Sequence, residues 1–271
     1  MKKIKQILAW IGIIFLVGIY AAAFICAFMK SELAETLFRA AIGSTIIIPV
    51  FLYLILMVAK TLRPAKSAVI DAVIFDMGKV LMDYPWEERT DRFSFSPDCD
   101  RYIREVVNPS PLWNEFDLGI RPFEEIVKEF TDQKPEYAAE IREFIETVGD
   151  CISPFWYAEE LVKGLRRKGY KVYFLSNWSR ENHDELAAKG LFDFVKFMNG
   201  GIWSYEVHVI KPDPEIYRLL TEKFSLNPAR CVFVDDREEN IAAAKKAGFA
   251  SILFTDYNSM IEKLESVGVY I

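Results

Sequence analysis

The sequence predicts an α/β protein: a doubly wound parallel sheet with a small α-helical cap, preceded by an N-terminal hairpin of two transmembrane helices. Three observations predict it. Two long uncharged runs open the chain, short β-rich runs alternate with helical patterns beyond residue 67, and one long helical interval interrupts that alternation. Of 271 residues, 52% are hydrophobic and 27% charged, which excludes a disordered or fibrous class.

The first element is the hairpin. No charged residue occurs from Gln6 to Met29 or from Ala40 to Ala59, and each run supplies the roughly 20 apolar residues that cross a hydrocarbon core about 30 Å thick. Helices are expected over about 7–29 and 40–59 within a 1–60 hairpin. A cleaved signal peptide fits less well, because the first run exceeds the usual apolar region of about 7–15 residues and a second follows it at once. Lys2, Lys3 and Lys5 precede the first run, and Lys60, Arg63 and Lys66 follow the second. The positive-inside rule therefore places both ends, and the domain that follows, on the cytoplasmic side of the cell (plasma) membrane as a multi-pass protein. The 61–67 linker reaches at most about 26 Å.

The sheet comes next. Val69–Phe75, Lys171–Leu175, Cys231–Val234 and Ser251–Phe254 read as buried parallel strands, rich in β-branched and aromatic residues. Tyr157–Lys168, Pro214–Phe224 and Glu239–Ala247 read as the helices between them. The interval 86–153 lacks a convincing strand and holds three Pro-started amphipathic pieces, Pro97–Val107, Pro122–Thr131 and Pro135–Val148. The expected organisation is therefore a core over 68–85 and 154–271, with a helical cap over 86–153.

Charge and cysteine content exclude other classes. Beyond residue 67 there are 25 Lys/Arg against 37 Asp/Glu, a net charge of −12, so no nucleic-acid partner is expected. Cys26, Cys99, Cys151 and Cys231 show no paired spacing, and only His183 and His208 could join them. Neither a zinc site nor a disulfide framework is predicted.

Ligands of open α/β sheets bind beyond the carboxyl ends of the strands, so the residues following each strand are the candidate site. Asp76-Met77-Gly78 follows the first, Ser176-Asn177 the second, Lys211 lies in VIKPDPEIY, and Cys231–Val234 runs into Asp235-Asp236. Gathered on one rim, three carboxylates require a compensating cation, and an all-oxygen set suits Mg²⁺. Ser176 and Lys211 then form a cradle for a phosphoryl group. The chemistry indicated is phosphoryl transfer through an aspartyl-phosphate, with Asp76 attacking phosphorus. Asp213 before Pro214, and Ser179, read as helix N-caps instead. Receiver domains of response regulators use similar groups, but their acid pair comes first and the phosphorylated Asp third. Here the lone Asp comes first.

The series FDMGKVL, FLSNWS, KPDPEIY and FVDDREENIAAAKKAGF resembles the haloacid dehalogenase (HAD) superfamily of phosphohydrolases over essentially residues 68–271. The resemblance implies a Rossmann-like core with the cap between the first two motifs. It implies Asp76 as nucleophile, Ser176 and Asn177 at the phosphate, and Lys211 as the neutralising and phosphate-binding lysine. Mg²⁺ would be held by Asp76, the Gly78 carbonyl, Asp236 and Asp235. The FDxG first motif is similar to a branch that includes sugar-1-phosphate phosphatases. That branch often shows Asn where this chain has Lys79, and Gly where it has His208.

One departure bears on mechanism. Phosphatases of the superfamily usually carry a second Asp two residues after the nucleophile as general acid and base, and that position here is Gly78. The expectation is an enzyme favouring good leaving groups, in which Gly78→Asp raises turnover on poor ones. Asp83 is the nearby acid in sequence. Lys79, Asp83, Asn177, Trp178 and Arg180 sit on loops that could touch substrate, and Asn240 could bind the acid pair. The expected function is a membrane-anchored, Mg²⁺-dependent phosphatase acting on a small phosphorylated metabolite such as a sugar phosphate. The alternatives are a catalytically weak or inactive membrane protein that binds a ligand or partner, and dehalogenation, which the paired acids Asp235 and Asp236 speak against.

Overall fold

The computed structural model describes residues 69–271 except Glu87, together with Gly18, Ala21, Phe24, Ile25, Phe28, Glu35, Thr36 and Arg39. The chain divides into two units, Met1–Lys66 and Ser67–Ile271. In the first, Gly18, Ala21, Phe24 and Ile25 are helical, as are Glu35, Thr36 and Arg39, and Arg39 pairs with Glu35. The expected spans over 7–29 and 40–59 otherwise lie outside the described residues. Among the described residues no helix is long and apolar enough to cross a membrane.

In the second unit, the strands are β1 (Ala72–Phe75), β2 (Met82–Asp83), β3 (Ser153–Pro154), β4 (Lys171–Ser176), β5 (Gly200–Trp203), β6 (Cys231–Asp235) and β7 (Ala250–Leu253). Five form a parallel sheet in the order β5-β4-β1-β6-β7. The expected first strand began at Val69, but pairing starts at Ala72, where both flanking strands begin, opposite Lys171 and Cys231. Asp71 lies just outside and pairs with Arg230.

The helices are α1 (Pro97–Tyr102), α2 (Trp113–Leu118), α3 (Phe123–Asp132), α4 (Ala138–Glu146), α5 (Ala158–Arg167), α6 (Arg180–Ala188), α7 (Ser204–Val207), α8 (Pro214–Phe224), α9 (Glu238–Lys246) and α10 (Tyr257–Ser266). Alternate residues of each strand face opposite sides of the sheet. Val73, Phe75, Val172, Phe174, Val232 and Val234 join Leu161, Val162 and Leu165 of α5 and Met260 and Leu264 of α10. Ala72, Ile74, Tyr173, Leu175 and Phe233 join Ile216, Tyr217 and Leu220 of α8 and Ile241 and Ala244 of α9.

The helices of the interval between β2 and β3 have their own core, built on Cys99, Ile103, Phe116, Ile126, Phe130, Ile141 and Phe144. The antiparallel β2–β3 ribbon, Met82 opposite Pro154 and Asp83 opposite Ser153, joins this cap to the sheet domain. The piece expected as one helix over Pro97–Val107 is α-helical to Tyr102 and π-helical over Ile103–Val107.

Candidate active site

The strand order sets the site. After β1 the chain fills the sheet to one side with β4 and β5, then returns to the other side with β6 and β7. This reversal opens a crevice beyond the carboxyl ends of β1, β4 and β6, and the residues leaving those ends are Asp76, Ser176 and Asp235.

Asp76 is buried. Its Oδ1 accepts hydrogen bonds from the Met77 N–H at 2.7 Å and Ser176 Oγ at 2.8 Å, and lies 2.9 Å from Lys211 Nζ. Its Oδ2 has no such partner among the described residues. Lys211, fully enclosed, also donates to Asp235 Oδ2 at 2.7 Å. Asp235 is saturated: Oδ1 accepts from the Arg237 N–H, and Asn240 Nδ2 reaches both oxygens at 2.9 and 3.1 Å. Asp236, next along, is half-buried. Asn177 braces the lysine rather than reaching inward alone, its amide donating to the Lys211 carbonyl and accepting from the Lys211 N–H.

The electrostatics follow from this crowding. Burial pushes the Asp76 carboxyl up to about 7, Lys211 opposes the rise, and Asp235 and Asp236 add to it. Asp236 is raised for the same reasons, burial first and then Asp235. Burial alone would lower Lys211, but the carboxylates of Asp235 and Asp76 outweigh it and hold the ammonium above its ordinary value. One oxygen each of Asp76, Asp235 and Asp236 lie within 4.8 Å of one another. Three hard oxygen donors this close, two of their carboxyls raised by burial and then by the neighbouring acids, fit a divalent cation such as Mg²⁺.

A cavity of about 660 Å³ opens over these groups between sheet and cap. Its floor includes Asp76, Gly78, Lys79, Ser176, Lys211 and Asp236, and its cap wall includes Trp86, Trp113, Phe116, Asp117 and Phe123. The cavity thus gathers the residues expected from sequence. Asp235 lies just behind its wall, held by Asn240.

The neighbouring loop residues divide between cavity, helix caps and surface. Asp83 is exposed on β2 and outside the cavity, because the strand turns that face to solvent. Trp178 lines the cavity from a buried position, its ring near Tyr84, Phe192 and Trp203. Arg180 is exposed with its guanidinium over Tyr205. Asp213 caps α8 by accepting from the Glu215 N–H, and Ser179 caps α6. Cys99, Cys151 and Cys231 are unpaired thiols.

Sequence reasoning missed Asp117. This cap residue lines the cavity near Lys211, Asp76 and Arg237, 41 positions from the nucleophile in the chain. Its signal is confined to a short acidic helix before a glycine, a pattern too common to single out.

A parallel sheet with a carboxylate-lysine-serine cradle at its switch point is built to hold a phosphoryl group. The family model of haloacid dehalogenase-like hydrolases matches residues 70–248, and the chain belongs to that family; it is a hydrolase. It is 26% identical over 196 residues to a sesquiterpene phosphatase of Aspergillus oryzae, covering 68% of this chain and 90% of that one. It is 23% identical over 204 residues to a chloroplast flavin mononucleotide hydrolase of Arabidopsis thaliana, covering 73% and 77%. Among solved structures, a HAD-like family hydrolase from Porphyromonas gingivalis superposes with a TM-score of 0.58 at 19% identity, covering 74% of this chain and 98% of that one. A HAD family enzyme from Bacteroides thetaiotaomicron, in complex with magnesium and inorganic phosphate, gives 0.57 at 22% identity, covering 70% and 98%. These neighbours share the fold.

Proposed function

We propose that the chain is a membrane-anchored, Mg²⁺-dependent phosphatase that hydrolyses a small phosphomonoester through an aspartyl-phosphate on Asp76. The observation that carries this reading is the Asp76 carboxylate itself. Three donors hold Oδ1, so Oδ2 is the oxygen left to attack phosphorus. Lys211, with its charge enforced by two carboxylates, neutralises negative charge gathering on the phosphoryl oxygens, and the Ser176 hydroxyl offers them a donor. Asp76, Asp236 and the Gly78 carbonyl would hold the metal, with Asp235 acting through water because its own oxygens already accept hydrogen bonds from Lys211, Asn240 and the Arg237 N–H. The metal's charge when bound would let the acids stay ionised beside a phosphate. Asn177 keeps Lys211 in place through two hydrogen bonds to its backbone.

The cavity bears on the substrate. Trp86, Trp113, Phe116 and Phe123 give its cap side an aromatic wall, suited to a leaving group with apolar or planar surface. Sugar phosphates, prenyl phosphates and flavin mononucleotide therefore all belong in the first screen, the last two because of the relatives' names.

Membrane anchoring rests on the two uncharged runs and their flanking lysines and arginines, and on the exposure of Phe24, Ile25 and Phe28. The reading places both the N-terminus and the phosphatase unit on the cytoplasmic side of the plasma membrane.

The test is phosphate release by the full chain from a library of phosphorylated metabolites, with and without Mg²⁺, beside Asp76→Asn. Mg²⁺-dependent release that Asp76→Asn abolishes is expected. No Mg²⁺-dependent release from any compound would favour the alternative, a catalytically inactive membrane protein that binds a ligand or partner.

A further inference from the structure

Gly78 leaves the first motif without the carboxyl that would protonate a leaving group, and no sheet-domain residue fills that role. A Cβ at position 78 would stand 3.3 Å from Tyr84 Cδ1 and 3.8 Å from Trp178, so a side chain there would be crowded by the Tyr84 ring. Among the described residues, the ionisable side chains lining the cavity are Asp76, Lys79, Tyr84, Asp117, Lys211, Asp236 and Arg237. Asp76, Lys211 and Asp236 are committed to the nucleophile and its charge balance. Lys79 and Arg237 are cations suited to the phosphate dianion. Burial pushes the Tyr84 phenol above its ordinary value, which makes it a poorer acid. That leaves Asp117, whose carboxylate makes no hydrogen bond or ion pair among the described residues.

The chain around Asp117 is clamped to the sheet domain. The Ser204 hydroxyl, at the start of α7, donates to the Asp117 carbonyl at 2.7 Å. His208 Nδ1, at the end of α7, lies 2.8 Å from the Leu118 carbonyl. Gly119 ends α2 in the left-handed region at φ 61°, where a Cβ would meet Tyr205 Cβ at 2.8 Å. The same Ser204 oxygen accepts from the Trp178 N–H, two residues past Ser176. One short helix thus ties the loop after β4 to the cap at the residue that bears the free carboxyl.

We propose that Asp117 is the general acid and base of the reaction, supplied by the cap in place of the missing second aspartate. This rests on the phosphatase reading. In the first half-reaction an Asp76 oxygen forms a bond to phosphorus and the bond from phosphorus to the leaving oxygen breaks. The leaving oxygen keeps that electron pair and takes the Asp117 proton. In the second, Asp117 takes a proton from water as the water oxygen attacks phosphorus, and Asp76 departs as a carboxylate with inorganic phosphate released. The sum is ester plus water giving alcohol plus phosphate. Burial, the dominant cause, brings the Asp117 carboxyl to about 7, with Asp76 adding to the rise and Lys211 and Arg237 opposing it. A group so placed exists in both protonation states near neutrality.

The test compares two aryl esters on the full chain in detergent with Mg²⁺. p-Nitrophenyl phosphate releases an anion that leaves without a proton, and phenyl phosphate releases one that needs it. Asp117→Asn and Asp117→Ser are expected to lose on the order of 10²-fold or more in kcat/KM on phenyl phosphate, and less than about fivefold in kcat/KM on p-nitrophenyl phosphate, a ratio that reads phosphoryl transfer to Asp76 and not the later hydrolysis common to both esters. That second rate also shows the variants to be folded. Asp117→Glu should restore part of the phenyl phosphate rate. An equal loss on both esters, or none on either, would overturn the assignment while leaving the phosphatase reading intact. A wild-type chain inert on both esters would instead overturn the phosphatase reading and this assignment with it.

Discussion

Lys79 and His208 adopt left-handed backbone, with φ of 59° and 56°, a region that costs most L-residues roughly 1–2 kcal/mol. Gly and Asn enter that region most readily. At His208 the ring finds a hydrogen bond to the cap in the Leu118 carbonyl, which offsets part of the strain. Asp117 carries a different cost. Its folded-state value near 7 lies above the ordinary 3.8 because burial, helped by Asp76 and opposed by Lys211 and Arg237, disfavours the charged form. Between these values the folded chain holds a proton that the unfolded chain has released. Stability therefore falls as pH rises through that window. Asp117→Asn removes the penalty, so it should melt about 3 °C or more above wild type at pH 8, with the gap shrinking at low pH. Thermal melts of both proteins in chelator check this. An unchanged melting point at pH 8 would show that Asp117 keeps full access to water.

Elements with a strong apolar period were legible, and those without one were not. The strands β1, β4 and β6 emerged because their residues are almost all buried, and β7, with only Ile252 buried, emerged from its short apolar run. The start of helix α8 was placed by Asp213 and Pro214. Strand β5 was missed because its sequence, GGIW, opens on two glycines that read as a turn. Gly201 is there because the Phe174 ring of the neighbouring strand lies over it. An added Cβ would come within 2.4 Å of that ring. Gly201→Ala should thus destabilise the sheet domain by about 1–3 kcal/mol, read as a lower urea midpoint with an unchanged slope. Helix α6 was hidden because only Leu186 of its nine residues is buried. The six residues of α2 are too few to show a period.

At the scale of the molecule, the order of motifs along the chain already implied a shared rim. A parallel sheet brings the carboxyl ends of β1, β4 and β6 together whatever the distance between them in sequence. Asp76, Ser176 and Asp236 follow from that topology alone, and Lys211 arrives on the connection after β5. The cap's contribution does not, because no local pattern reveals which cap residue faces the crevice. Asp117 becomes visible only when α2 is seen docked on α7. Docking also changes the meaning of Gly78: an apparent catalytic gap in the first motif is space given over to Tyr84, with the proton-bearing carboxyl arriving from the opposite wall.

Formation of an acyl phosphate on Asp76 is the claim on which the phosphatase account stands, and it can be trapped chemically. The full chain is quenched during turnover of p-nitrophenyl phosphate with Mg²⁺, reduced with borohydride and digested for mass spectrometry. The account predicts homoserine in place of aspartate at position 76, dependent on both substrate and Mg²⁺. Turnover that leaves residue 76 unmodified, or that places homoserine at another aspartate, would contradict it.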